Sequence, residues 1–143
     1  MTDGFVLDTR LADTSFAVQD WPLCTVRLVD DARWPWLLLI PRRAGIVELF
    51  DLSPEDRAQL VEEAAKAAAL LVRAFPCDKT NVATLGNQVN QMHMHVIART
   101  ENDAAWPNPV WGIGESQPYA AAAKDAIIGR LTDLLHSEFA PND

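Results

Sequence analysis

One segment limits the folds open to this 143-residue chain more than any other, a helix from Ser53 to Phe75 with both ends written in the sequence. Ser53 can accept from the free amides of a first turn, and Pro54 carries the backbone angle of a first helical position. Glu55 and Asp56 suit the positive end of the helix dipole. Leu60, Ala64, Ala67, Leu71 and Phe75 then recur at three- to four-residue spacing, which makes one apolar stripe. Alanine at positions 64, 65, 67, 68 and 69 permits a close approach to whatever the stripe covers, and Pro76 stops the helix. Such a stripe needs a sheet to lie on.

The flanking sequence supplies the sheet. Thr14–Gln19 and Cys24–Val29 alternate apolar and polar residues, and Trp36–Ile40 is a continuous apolar run ended by Pro41. Asp30-Asp31-Ala32-Arg33 reads as the turn between the second and third of these strands. Thr80–Leu85 and Gln91–Ala98 read as two more, joined by a short polar turn, while residues 5–11 form a lead-in strand or turn. From Pro118 to about residue 139, Ala122, Ala126, Ile127, Leu131, Leu134 and Leu135 mark a second helix. The expected fold is a single α+β domain over residues 1–143, with an antiparallel sheet of about five strands, a long central helix and a C-terminal helix.

Twelve basic against twenty acidic residues give a net charge of −8, which argues against nucleic acid as a partner. A small phosphorylated ligand stays open, because local donors can outweigh a distant field. Cys24 and Cys77 are far apart and lack metal-ligand spacing, so they read as buried core thiols in a reducing compartment, with one disulfide as the alternative. Met1-Thr2-Asp3-Gly4 opens no signal peptide, and the apolar stretch from Trp34 to Ile40 is too short to span a bilayer. No membrane association and a cytoplasmic location are expected.

The chemistry points to Gln91-Met92-His93-Met94-His95-Val96-Ile97. In an extended strand Gln91, His93 and His95 share one face, and Met92, Met94 and Val96 share the other. An apolar back with an imidazole-bearing front can aim a reactive group. The same pattern also suits a half-buried strand without function, or a His-x-His metal site. A metal would need a third ligand from the Glu101 side or from elsewhere in the chain, and no metal or other cofactor is expected. The neutral donors Asn81, Asn87, Gln88 and Asn90, with Gly86 among them, instead suggest a cradle for phosphate oxygens. A neutral imidazole beside such a cradle suits attack on phosphorus.

These residues resemble the signature of the histidine-triad (HIT) superfamily, His-φ-His-φ-His-φ-φ with φ apolar, with Gln91 where the first histidine stands. The likeness extends over residues 5–112. It includes Asn81, the Gly86-Asn87-Gln88 turn, the strand Leu37-Leu38-Leu39-Ile40-Pro41-Arg42-Arg43 and Trp106-Pro107. It implies a nucleotide-processing enzyme that acts at an α-phosphate through a covalent nucleotidyl-histidine, cleaving a phosphoramidate or phosphoanhydride. By the same resemblance His93 is the nucleophile and His95 lies against the phosphate. Asn81, Asn87 and Gln88 contact phosphate or leaving group, and Asp30 or Asp31 holds the ribose. It further implies a homodimer with Trp106 and Trp111 near the partner subunit. Two histidines of some relatives fall here at Trp36 and Ala44, and Gln91 cannot act as an acid. A nucleotide-binding module with little or no catalysis is therefore the alternative reading.

Overall fold

The computed structural model describes residues 4–137. In chain order the elements are α1 (Thr9–Asp13), β1 (Ser15–Asp20), β2 (Cys24–Val29), β3 (Trp36–Pro41), α2 (Pro54–Ala74), β4 (Lys79–Ala83), β5 (Met94–Arg99) and α3 (Ala121–Ser137), with one 3-10 turn at Leu49–Asp51. The strands form one sheet in the order β1-β2-β3-β5-β4, and every neighbouring pair is antiparallel. The expected α+β fold is the observed one.

α2 starts as its sequence demands: the Ser53 hydroxyl accepts from the Asp56 amide and Pro54 is the first helical residue. Leu60, Ala64, Ala67, Leu70 and Leu71 bury its stripe against Val26, Leu28, Leu37, Leu39, Val96 and Ala98 on one sheet face, and Leu131 and Leu135 of α3 close that core. Each fully buried leucine contributes about 2 kcal/mol of apolar transfer. Glu63, only 3% exposed, fastens the helix to the β1–β2 hairpin. Its carboxylate accepts from the amides of Leu23 and Cys24, both at 2.8 Å. A buried carboxylate is tolerated because those donors satisfy it.

Among the described residues, no long helix covers the opposite sheet face. Trp36, Leu38, Ile40 and Ile97 are covered by Leu11 of α1, Trp34, Ala105 and Val110. His95 lies on this loop-covered face, since it pairs with Leu38 in β3 and with Ala83 in β4.

Three sequence expectations are corrected. The strand expected at Gln91–Ala98 begins only at Met94. Before that point the chain leaves the ladder, because the Met92 amide donates to the Ile46 carbonyl and Gln91 turns to the N-terminal segment. The lead-in at residues 5–11 carries the start of a short helix, α1, capped by Asp8, whose carboxylate accepts from the Arg10 amide. The C-terminal helix begins at Ala121 instead of Pro118, and positions 138 and 139 of its expected span lie outside the described residues. Cys24 and Cys77 are free, the first buried and the second partly buried. No helix among the described residues is long and apolar enough to cross a membrane.

Candidate active site

The His93–His95 pair is held from two directions. β5 sits between β3 and β4, so His95 is flanked by Leu38 on one edge and Ala83 on the other in the interior of the sheet. His93 is one residue short of the strand, and the Thr84 hydroxyl donates to its carbonyl at 3.0 Å. Gly86, with φ of +75°, provides the left-handed turn that returns the chain from β4 toward this point. The two imidazoles meet edge to face with centroids 4.9 Å apart, and each residue is 7% exposed.

Their hydrogen bonds fix opposite tautomers. His93 Nδ1 lies 2.7 Å from the Gln91 carbonyl oxygen, which only accepts, so Nδ1 carries the proton and Nε2 keeps the lone pair of the neutral ring. The Trp36 indole donates from Nε1 to His95 Nδ1 at 3.0 Å, so the neutral His95 ring carries its proton on Nε2. His95 is enclosed by Trp36, Trp111 and His93, with ring centroids 5.6, 5.0 and 4.9 Å away. Burial, reinforced by the neighbouring His93, lowers the His95 pKa from 6.5 to about 3. It is a neutral donor at physiological pH.

Gln91 does not aim its side chain at this pair. Its Oε1 accepts from the Asp8 amide and its Nε2 donates to the Val6 carbonyl, both at 2.8 Å. One side-chain amide thus pairs with the backbone on either side of Leu7, as a neighbouring strand would. This tether brings α1 to the polar turn, where Arg10 Nη1 donates to the Gln88 carbonyl at 3.2 Å. Arg10 also binds the Asp8 carboxylate at 2.9 Å. Hydrogen bonds from the Arg10 side chain and backbone hold the Asp8 carboxyl down at about 2.

Two clefts flank the pair. One, of about 550 Å³, is lined by residues 6–10, Gly45–Val47, Asn90 and Gln91. The other, of about 480 Å³, is lined by Asp30, Asp31, Arg33, Trp36, Gln88 and Trp111 among others. Neither histidine lines either cleft. His95 is one side chain behind the second, through Trp36 and Trp111, and His93 is bonded to Gln91 at the edge of the first. The side chains of Asn87, Gln88 and Asn90, between the clefts, are exposed.

The structure divides the remaining sequence candidates. Asp30 and Gln88 share the second cleft, where Asp30 accepts from the Tyr119 amide at 2.8 Å. Asp31 is buried and paired with Arg33 at 2.8 Å. Asn81 is on the same sheet face as His95, but its Oδ1 accepts from Arg99 Nη1 at 2.8 Å. Arg99 is 2% exposed and bound to Asp103 at 2.7 Å, with its guanidinium 5.5 Å from the Trp106 ring. Burial alone would raise the Asp103 carboxyl, yet the bonds from Arg99 and from the Ala105, Trp106 and Thr100 amides outweigh it and hold it below the carboxylate range. Trp106 thus covers this buried ion pair while Trp111 forms a cleft wall, and the buried Trp111 Nε1 has no partner among the described residues.

Sequence reasoning did not single out Asp8, Arg10 or Thr84 around the histidines. Their roles depend on contacts across up to 83 residues, which no local pattern announces. Among the described residues, no three His, Cys, Asp or Glu side chains converge as metal ligands.

The geometry agrees with what the chain is similar to. A search of curated protein sequences returned no significant match. A histidine triad (HIT) protein from Sinorhizobium meliloti has a solved structure that is 42% identical, with 93% of this chain and 98% of that one covered at a TM-score of 0.90. A histidine triad protein from Bradyrhizobium japonicum is 41% identical, with 90% and 96% covered at 0.88. One from Marinobacter aquaeolei is 39% identical, with 92% and 96% covered at 0.89. The protein-family model of the HIT domain matches residues 10–102, well over half of the sequence, and the chain belongs to the HIT-domain family.

Proposed function

We propose that this chain is a nucleotide-processing enzyme that works through a covalent nucleotidyl-His93 intermediate. Membership of the HIT-domain family supports a nucleotide-binding or a hydrolase/transferase function. The observation that carries the finer reading is the 2.7 Å bond from His93 Nδ1 to the Gln91 carbonyl, which leaves Nε2 as the nucleophilic nitrogen. Nε2 forms a bond to the α-phosphorus, the bond to the leaving group breaks, and water or another acceptor then takes the nucleotidyl group. His95 presents Nε2–H to a phosphate oxygen, a neutral donor that strengthens as charge develops there. Asn87, Gln88 and the backbone of their turn add donors, and the cleft with Asp30, Trp36 and Trp111 takes the nucleoside. In this reading Gln91 stands in the place of a first triad histidine, Asn81 acts from beside Arg99, and the protein is a cytoplasmic homodimer with the Trp106–Trp111 segment near its partner.

The test is His93→Ala. Turnover of nucleoside 5′-phosphoric anhydrides is expected to be lost while affinity for a nucleoside monophosphate stays within a small factor. Full activity in the variant refutes the mechanism. A second reading, a nucleotide-binding module without turnover, is favoured by the 7% exposure of both imidazoles. It predicts monophosphate binding with no release of any leaving group by the native protein.

A further inference from the structure

The groups near His93 include an unusual imbalance between hydrogen-bond donors and acids. The Trp36 indole nitrogen has a proton to donate and no lone pair, so it can hold His95 Nδ1 but cannot pass a proton to or from it. His95 meets Trp36 from β3, Trp111 from the loop after β5 and His93 from its own segment, and of these only His93 is ionisable. Its directly paired strand neighbours, Leu38 and Ala83, are not ionisable either.

The groups around His93 are no better as acids. Gln91 supplies an amide and Thr84 an alcohol. The carboxylate of Asp8, the nearest acidic side chain on the tethered N-terminal segment, is held ionised by Arg10. Asp30 and Asp31 in the second cleft receive bonds from Tyr119 and Arg33, respectively. Arg10 and Arg33 stay protonated and serve as donors, not proton sources.

We propose that Trp36 is a positioning residue that fixes His95 as a neutral Nε2–H donor, and that the site therefore turns over only nucleotides whose leaving group departs as a stable anion. The substrate class is a nucleoside 5′-phosphate joined by an anhydride bond to phosphate or carboxylate, not one joined to an amine. This inference rests on the nucleotidyl-His93 reading above. In the step, the His93 Nε2 lone pair forms the N–P bond. The P–O bond to the leaving group breaks, and its electron pair remains on the departing oxygen. No proton moves, because a phosphate or carboxylate is stable as an anion at neutral pH. An amine would have to leave as an amide anion unless it were protonated first, and among the described residues the site holds no acid to do so. In the second step a water oxygen bonds to phosphorus, the N–P pair returns to Nε2, and the water's proton passes to solvent.

The experiment has two arms. In the first, native protein is assayed with one nucleoside carrying a 5′-series of leaving groups: phosphate, carboxylate, substituted phenols and a primary alkylamine. Across the phenols, kcat/KM is expected to fall about tenfold per unit of leaving-group pKa, with the amidate at least about a thousandfold below the anhydrides. Comparable rates for amidate and anhydride overturn this inference alone. No turnover of any member, with monophosphate binding intact, overturns the enzyme reading and this inference with it.

The second arm reads the ring directly in the native protein by long-range 1H–15N correlation, so it does not depend on turnover. His95 is expected as the Nε2–H tautomer alone from pH ~6 to pH ~8. An Nδ1–H tautomer or an imidazolium in that range refutes the role of Trp36. In Trp36→Phe a mixture of tautomers is expected, with the amidate rate rising relative to the anhydride rate. A folded Trp36→Phe protein with the native tautomer and selectivity refutes it as well.

Discussion

Acidification from pH 7 to pH 5 should cost this fold stability through one ring, His95. Burial and the adjacent His93 hold its folded-state pKa near 3, against 6.5 for an ordinary imidazole. As pH falls below the ordinary value, the unfolded chain takes up a proton there and the folded chain does not. The unfolded state binds more protons, so stability is lost as pH falls from about 6.5 toward about 3. Between pH ~7 and pH ~5 the difference amounts to about 2 kcal/mol. Depressed carboxyls such as Asp8, held at about 2, protonate below this window and contribute little to it. Urea unfolding at both pH values, in native protein and in His95→Asn, isolates the effect. The asparagine oxygen can still accept from Trp36, while the titrating ring at position 95 is removed. Native protein should lose about 2 kcal/mol more than the variant. Equal losses would show that His95 titrates in the folded protein, against the buried, indole-bonded ring described above.

Replacing Gln91 by Ala removes both bonds to residues 6–8 and should cost about 1–3 kcal/mol, with faster hydrogen exchange at the Asp8 amide. Unchanged exchange there would show that the tether does not hold the segment. Arg99→Ala leaves Asp103 buried without its guanidinium and should destabilise by about 3–5 kcal/mol in urea unfolding, whereas a loss under about 1 kcal/mol would contradict a buried pair. Leu71→Ala, fully buried on the sheet-facing stripe of α2, should cost about 2–5 kcal/mol by the same assay and leave the His95 tautomer unchanged.

The architecture was legible where chemistry is local. Ser53, Pro54 and Pro76 mark α2, its alanines announce a close contact, and the run at residues 36–40 demands a buried strand. The pairing of His93 with His95 on one face was legible from their spacing, as was the likeness to the triad signature. The expected strand through Gln91 was not observed, because tertiary bonds from Met92 to Ile46 and from Gln91 to Val6 and Asp8 outcompete the ladder there. Asn81, Asn87, Gln88 and Asn90 looked like one cradle in the sequence. In the fold Asn81 serves a buried arginine, Gln88 faces one cleft and Asn90 the other. Trp36 was legible in the sequence as the start of an apolar strand and as a missing histidine, but not as the partner of His95, since the direction of its indole depends on the β3–β5 register.

The nucleotidyl adduct itself gives the most direct test. Native protein quenched during turnover, digested and examined by mass spectrometry and 31P NMR should carry the nucleotidyl group on His93, bonded through Nε2. An adduct on His95, or on His93 through Nδ1, would contradict the account, because the Gln91 carbonyl occupies that nitrogen's proton.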